Sequence, residues 1–258
     1  MEWLVINRLK SYPTILTHHP KIIIFTQDMS ATLPFTLTIV AATRMEIAPL
    51  LAKYNATPGD FTGLYTAGNQ LHFLITGMGM MNTAAHLALY SARYNRDFYI
   101  DAGICGAFNR QLSIGEVVQI SSETYGDFGV ENDDTFEDFF DLGFIDKKED
   151  AFQYGLCSPL PSAHLANIGL PKASSITVNK VHGNEKTIAV IQEKYRADTE
   201  NMEGLAFYYV LQLIQKPGIE IRAISNYVEK RNKDNWDIPG SIRNLNDALI
   251  RFIEHQRM

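Results

Sequence analysis

Cysteine is scarce: Cys105 and Cys157 are the only two in the chain, too few for a disulfide framework and suited to a reducing compartment. There is no Cys-x-x-Cys, and the seven histidines show no metal-ligand spacing, so neither a metal nor any other cofactor is expected. Basic residues are outnumbered, 23 Lys and Arg against 29 Asp and Glu for a formal charge of -6, and no basic block stands out. A surface for nucleic acid or for an anionic membrane is therefore not expected. Long apolar runs are absent too. None approaches the roughly 20 residues needed to span a bilayer, and residues 1–10 carry Glu2, Arg8 and Lys10 where a signal peptide would have an apolar core. These absences favour a cytoplasmic protein.

What is present is enough apolar sequence, 46% of 258 residues, for one well-buried α/β domain. Residues 1–34 show little pattern beyond the run from Ile22 to Phe25. Met29 stands just ahead of the first convincing strand. It is either the true start, with the preceding residues over-translated, or part of a real extension packed on the surface. The domain is read over residues 35–258.

Residues 35–42 are nearly continuous in apolar residues, as in a strand buried on both faces, and residues 45–54 have helical spacing. Strands are expected at 61–67, 71–76, 97–102, 117–121, 175–178 and 219–225, and helices at 82–93, 184–195, 203–213 and 241–256. This alternation predicts a single α/β domain with a central mixed, mostly parallel sheet flanked by helices. Residues 125–150 break the rhythm with an acidic, aromatic stretch, and 158–175 are proline-rich. They are expected to leave the sheet as a long excursion of the type that builds active-site walls or lids.

Gly77-Met78-Gly79 follows a strand and precedes a helix, but the third glycine of a dinucleotide fingerprint would fall at Asn82. It is read as a turn or a close approach to a sugar. Glu46 and Glu203 each open a helix, where an acid is favoured by the helix dipole alone. Asn226 follows a strand and could simply cap a turn. Their shared placement after strand ends raises all three, because such positions converge on one rim of an α/β sheet. Downstream, Arg231 and Trp236 lie in a polar run that is either a solvated loop with Trp236 packed on its neighbour or a binding segment for a substrate with an anionic aromatic appendage, the guanidinium pairing with a carboxylate and the indole offering a ring face.

Taken in order, Ala41-Ala42-Thr43-Arg44-Met45-Glu46, Gly77-Met78-Gly79, Gly103-Ile104-Cys105-Gly106-Ala107, Thr177 to Gly183, Asn201-Met202-Glu203-Gly204 and Arg222-Ala223-Ile224-Ser225-Asn226 resemble the nucleoside phosphorylase and nucleosidase superfamily. Within it they look most like the futalosine hydrolases of menaquinone biosynthesis. The resemblance implies that Glu46 activates water, that Glu203 holds the ribose hydroxyls, and that Met202, Met78, Ile104, Cys105, Gly106, Lys180 and Val181 line the sugar and base pocket. It also implies a homo-oligomer. Adenine-releasing relatives carry aspartate where Asn226 stands. Asparagine suits a 6-oxopurine, since its NH2 donates to the exocyclic oxygen while its carbonyl accepts from the neighbouring ring nitrogen. Phosphorylases carry arginine and serine where Asp101 and Ile104 stand, and an acid facing a dianion repels it. Arg44 remains a candidate phosphate ligand. The expected activity is hydrolysis of futalosine to hypoxanthine and dehypoxanthine futalosine. A phosphorylase or nucleosidase for inosine-like or methylthioadenosine-like nucleosides, and a non-catalytic nucleoside-binding protein, are the rivals.

Overall fold

The structure, a computed structural model, describes residues 33–133, 135–148, 151–162 and 169–257. The chain divides into residues 1–31 and 32–258, and both readings of the N-terminal extension lie outside the described residues.

β1 (Leu37–Ala41) is buried at every position, because helices cover it from both sides. α1 (Arg44–Lys53) follows directly. β2 (Thr57–Pro58), β3 (Leu64–Ala67) and β4 (Leu71–Ile75) form an antiparallel meander whose last strand returns parallel to β1. Next come α2 (Met80–Arg93), β5 (Phe98–Ala107) and β6 (Val117–Tyr125). A separate hairpin, β7 (Gly129–Asn132) and β8 (Thr135–Asp138), precedes β9 (Lys172–Thr177). The chain then runs through α3 (Glu185–Tyr195), β10 (Thr199–Asn201), α4 (Gly204–Ile214), β11 (Gly218–Tyr227) and α5 (Ile238–Gln256).

Nine strands make one mixed sheet in the order β10-β9-β6-β11-β5-β1-β4-β3-β2. Its middle, β11-β5-β1-β4, is parallel throughout. β10 also pairs with β5, so β5, β11, β6, β9 and β10 close into a ring. One core gathers Ile39 and Ala41 of β1 with Ile47 and Leu50 of α1 and Leu245, Leu249 and Phe252 of α5. The opposite core gathers Val40 and Leu74 with Leu87 and Tyr90 of α2 and Leu205, Phe207 and Tyr208 of α4. The expected flanked sheet is therefore present. No helix among the described residues is long and apolar enough to cross a membrane.

Several boundaries move for identifiable reasons. β5 continues through Gly103–Ala107, beyond the strand end expected at 102, because β11 and β10 supply ladder partners there. α5 starts at Ile238, since Pro239 sits in the first turn, where a missing N–H costs nothing, and Asp237 caps it by accepting from Gly240 N at 2.8 Å. None of the described residues of the acidic excursion lines the cavity described below. Its hairpin is tied instead to α3, with Tyr195 donating to Asp138 at 3.1 Å and Lys194 pairing with Asp138 at 3.2 Å.

Candidate active site

A cavity of about 470 Å³ opens at the carboxyl end of β5, where the chain leaving β1, the end of β10 and the end of β11 meet. This is the edge at which open α/β sheets receive ligands, and the volume is within the range of small-molecule sites. Glu46, Asn226, Glu203, Met202, Met78, Ile104, Cys105, Gly106, Val181 and Arg231 all line it, and so does Trp236.

Glu46 is placed by the start of α1. Its Oε2 accepts from the Thr43 backbone N at 2.9 Å and the Thr43 hydroxyl at 2.8 Å, and its Oε1 accepts from Ile104 N at 3.3 Å. Oε2 is thus fully occupied by the capping contacts, while Oε1 keeps a free lone pair. Burial pushes the Glu46 carboxyl above its ordinary value, against the lowering effect of the Thr43 bond and of the Arg222 charge. A carboxylate made more basic by burial and still open on one oxygen is equipped to take a proton from water. Helix α1 breaks at Ile47, ahead of Pro49. The broken pair is repaired by Asn246 of α5, whose Nδ2 donates to Glu46 O at 2.7 Å while its Oδ1 accepts from Leu50 N at 3.1 Å. The kink at the candidate base is in this way held from behind.

Glu203 stands between β10 and α4 and is buried. Its Oε1 accepts from Gly79 N at 2.9 Å, so the Gly-x-Gly turn serves a carboxylate of this chain. Gly79 has φ 89° and stands at the N-cap of α2, a conformation that glycine adopts without strain and that presents the helix N-terminus to the acid. Asn226 is aimed by a bulge: β11 pairs Ile224 with Cys105 and Asn226 with Gly106, leaving Ser225 as the extra residue. Ser225 Oγ donates to Asn226 Oδ1 at 2.8 Å, and Asn226 Nδ2 donates to Tyr227 O at 2.9 Å. These two partners fix which end of the amide is oxygen. One N–H and one lone pair remain for a ligand.

Behind the cavity lies a buried charge cluster. Arg222 is fully buried, with Nε donating to Glu220 Oε1 at 2.7 Å, Nη2 paired with Asp101, and Nη1 at 3.9 Å from Glu203 Oε2. Asp101 therefore faces Arg222 rather than the cavity, which corrects the expectation that it would confront a bound anion. Arg44 is exposed, its guanidinium 5.4 Å from the centre of the Tyr65 ring, and it does not line the cavity. Lys180 is a second correction. It is exposed and outside the lining, because the Asp127 carboxylate caps this turn by accepting from Asn179 N at 2.6 Å and Lys180 N at 3.2 Å. Val181 and His182 line the cavity instead.

Glu123 and Glu220 meet at the amino end of α4. A Cβ on Gly204 would fall 2.4 Å from Glu220 Oε1 and 2.5 Å from Glu123 Oε1, so only glycine admits both carboxyls. Asn201 Nδ2 donates to both, at 2.5 Å to Glu123 and 3.0 Å to Glu220. Burial pushes Glu123 up to about 7 and Glu220 well above the carboxylate range, so the pair retains a proton at neutral pH. Above the ordinary glutamate value of 4.5 the unfolded chain has lost protons that the folded chain still holds. The pair's contribution to stability then falls as pH rises from about 4.5 to about 7. In Glu220→Gln one of these titrations is gone, and the decline should flatten by roughly 1.4 kcal/mol per pH unit. Urea denaturation of both proteins between pH 5 and about 7.5 measures this; equal slopes would mean that the pair holds no such proton.

Polar lining residues that were not predicted include His182, Glu200, Ser225 and Glu229. Glu200 belongs to a strand of three residues, too short to carry a periodic signal. His182 lies within a quoted motif, but nothing local distinguishes it from a loop histidine.

The family model described as the phosphorylase superfamily matches residues 36–255. A futalosine hydrolase of Thermus thermophilus is 28% identical over 222 residues, 84% of this chain and 95% of that protein. A 5'-methylthioadenosine/S-adenosylhomocysteine nucleosidase of Bacillus pumilus is 24% identical over 243 residues, 84% of this chain and 98% of that protein. Among solved structures, a nucleosidase of the latter kind from Colwellia psychrerythraea, in complex with adenine, superposes with a TM-score of 0.72 at 17% identity, covering 86% of this chain and 96% of its own. With the family model spanning every strand of the sheet and all but the last residue of α5, the chain belongs to the phosphorylase superfamily.

Proposed function

We propose that this chain hydrolyses the N-ribosidic bond of futalosine, releasing hypoxanthine and dehypoxanthine futalosine. The observation that carries the reading is the convergence of Glu46, Glu203 and Asn226 on one cavity. Cleavage of such a bond builds positive charge on the ribose and negative charge on the base, so the site must supply a nucleophile at one side of the sugar and a hydrogen-bonding partner for the base at the other. Glu46 Oε1 takes the proton of the attacking water. Glu203, anchored on Gly79, holds the ribose hydroxyls. Asn226 offers its remaining N–H to the exocyclic oxygen and its remaining lone pair to the proton that the departing base takes up at ring nitrogen N7.

Hydrolysis is favoured over phosphorolysis by the charges around the cavity. Among the described lining residues Arg231 is the only lysine or arginine, and it is exposed, with its guanidinium 5.3 Å from the Trp236 ring. This pair suits the carboxylated aromatic end of futalosine better than a phosphate beside Glu46. Met45, Met78 and Val181 are exposed apolar side chains on the lining, suited to cover by a second copy of the chain, in line with the homo-oligomer the resemblance implies.

The test is chromatographic detection of purine release from futalosine, its 6-amino analogue, inosine and methylthioadenosine, each with and without phosphate. The expected result is rapid hypoxanthine release from futalosine, indifferent to phosphate. Phosphate-dependent release from inosine would overturn the reading in favour of a phosphorylase.

A further inference from the structure

His182 and Glu200 form a buried pair that the scheme above leaves without a task. His182 Nδ1 lies 2.6 Å from Glu200 Oε2, and the backbone N of His182 donates to Glu200 Oε1 at 3.0 Å. Both side chains are only 4% exposed, yet both line the cavity. The Phe108 ring packs against the imidazole, with centroids 6.4 Å apart. Nε2 makes no hydrogen bond among the described residues. The pair sits beside Asn226: Gly106 of β5 is the ladder partner of Glu200 on one side and of Asn226 on the other. A Cβ on Gly106 would lie 3.3 Å from Asn226 Nδ2 and 3.7 Å from Glu200 Cγ.

We infer that His182, oriented by Glu200, reads the edge of the purine beyond Asn226 and selects a 6-oxopurine over a 6-aminopurine. This rests on the reading of the cavity as a purine nucleoside site. Glu200 has two oxygens and meets two donors, the His182 backbone N and Nδ1, which selects the tautomer with its proton on Nδ1 and Nε2 as the acceptor. A 6-oxopurine carries a hydrogen on ring nitrogen N1 and can donate to that acceptor. A 6-aminopurine has a lone pair at N1, and two lone pairs facing each other repel. Asn226 and His182 would in this way address two adjacent parts of the same edge.

The pair gives the test a sign that a merely structural role cannot imitate. In Glu200→Gln one oxygen becomes NH2. The His182 backbone N–H must keep the remaining oxygen, which leaves the NH2 facing Nδ1. The imidazole then carries its proton on Nε2 and donates into the cavity, so the preferred partner changes from N1–H to a bare N1. Rates of base release should be compared for futalosine and its 6-amino analogue, and for inosine and adenosine. For the pair the wild type cleaves, the kcat/KM ratio of the 6-oxo to the 6-amino substrate is expected to fall at least roughly tenfold in Glu200→Gln, with the 6-amino rate maintained or raised. His182→Ala, which folds without the need to seat a new amide, is expected to lower the same ratio by losing the contact. Parallel losses on both substrates, with the ratio unchanged in either variant, would overturn the inference and leave the nucleosidase reading intact. Wild-type protein that releases neither base would overturn both.

Discussion

Glu46→Gln is expected to lower turnover on futalosine by roughly a hundredfold to ten-thousandfold, the range usual for loss of a general base, while binding of the nucleoside is retained. Glutamine preserves the shape of the side chain, and its oxygen can still accept from Thr43, but it cannot take a proton from water. The pH profile carries a second signature. Burial raises the Glu46 carboxyl above its ordinary range, and the base works only when ionised. The acid limb of kcat/KM in the wild type should then lie above the usual carboxylate range, with activity lost as pH falls through it. Against the residual rate of the variant that limb should disappear. Steady-state kinetics across pH 4.5 to about 9, with binding measured by calorimetry on the variant, checks both parts. A variant that turns over like the wild type would make the chain a binding protein or place the base elsewhere.

Local signals made most of this site legible. Glu46 and Glu203 each follow a strand end and Asn226 stands in the last two residues of β11, and the parallel strands β1, β5 and β11 bring Glu46 and Asn226 to the same rim. What stayed hidden depends on contacts distant in sequence. β10 has three residues and becomes a strand only because β5 and β9 flank it. Gly79 could be recognised as a turn residue, but nothing near it in sequence announces that its N–H holds a glutamate 124 positions away. Asp101 was expected to face a ligand because it stands where the resembling phosphorylases carry an anion-binding arginine. Alternation of side chains across the sheet puts it against Arg222 instead, and a residue's face cannot be settled without knowing which helix covers it. The hairpin in the acidic excursion was hidden for a similar reason: its place against α3 depends on the Lys194 contacts, which nothing local in the sequence announces.

The largest effect on stability is expected at Arg222. The side chain is entirely enclosed and meets three carboxylates, those of Asp101, Glu220 and Glu203. Burial raises the Asp101 and Glu220 carboxyls well above their ordinary values, and the arginine charge works in the opposite direction on both. Arg222→Met removes that charge and leaves the two acids buried without a counter-ion, a change that costs about 3–5 kcal/mol in comparable sites. The loss must depend on pH. With the arginine gone, both acids hold their protons to still higher pH in the folded state, while in the unfolded chain they ionise in the usual range. The variant should therefore be least impaired near pH 5 and progressively worse toward pH 8, the stability declining wherever the folded state binds the more protons. Adding Asp101→Asn and Glu220→Gln should recover much of the stability, because neutral side chains need no counter-ion. Activity should not return in that triple variant. Arg222 also lowers the Glu46 carboxyl through its charge, and without it the acid limb of kcat/KM should move to higher pH. Chemical denaturation and kinetics on the single and triple variants separate the two effects. A single variant as stable as the wild type at pH 8 would show that the cluster is held together by proton sharing among its carboxyls rather than by the arginine.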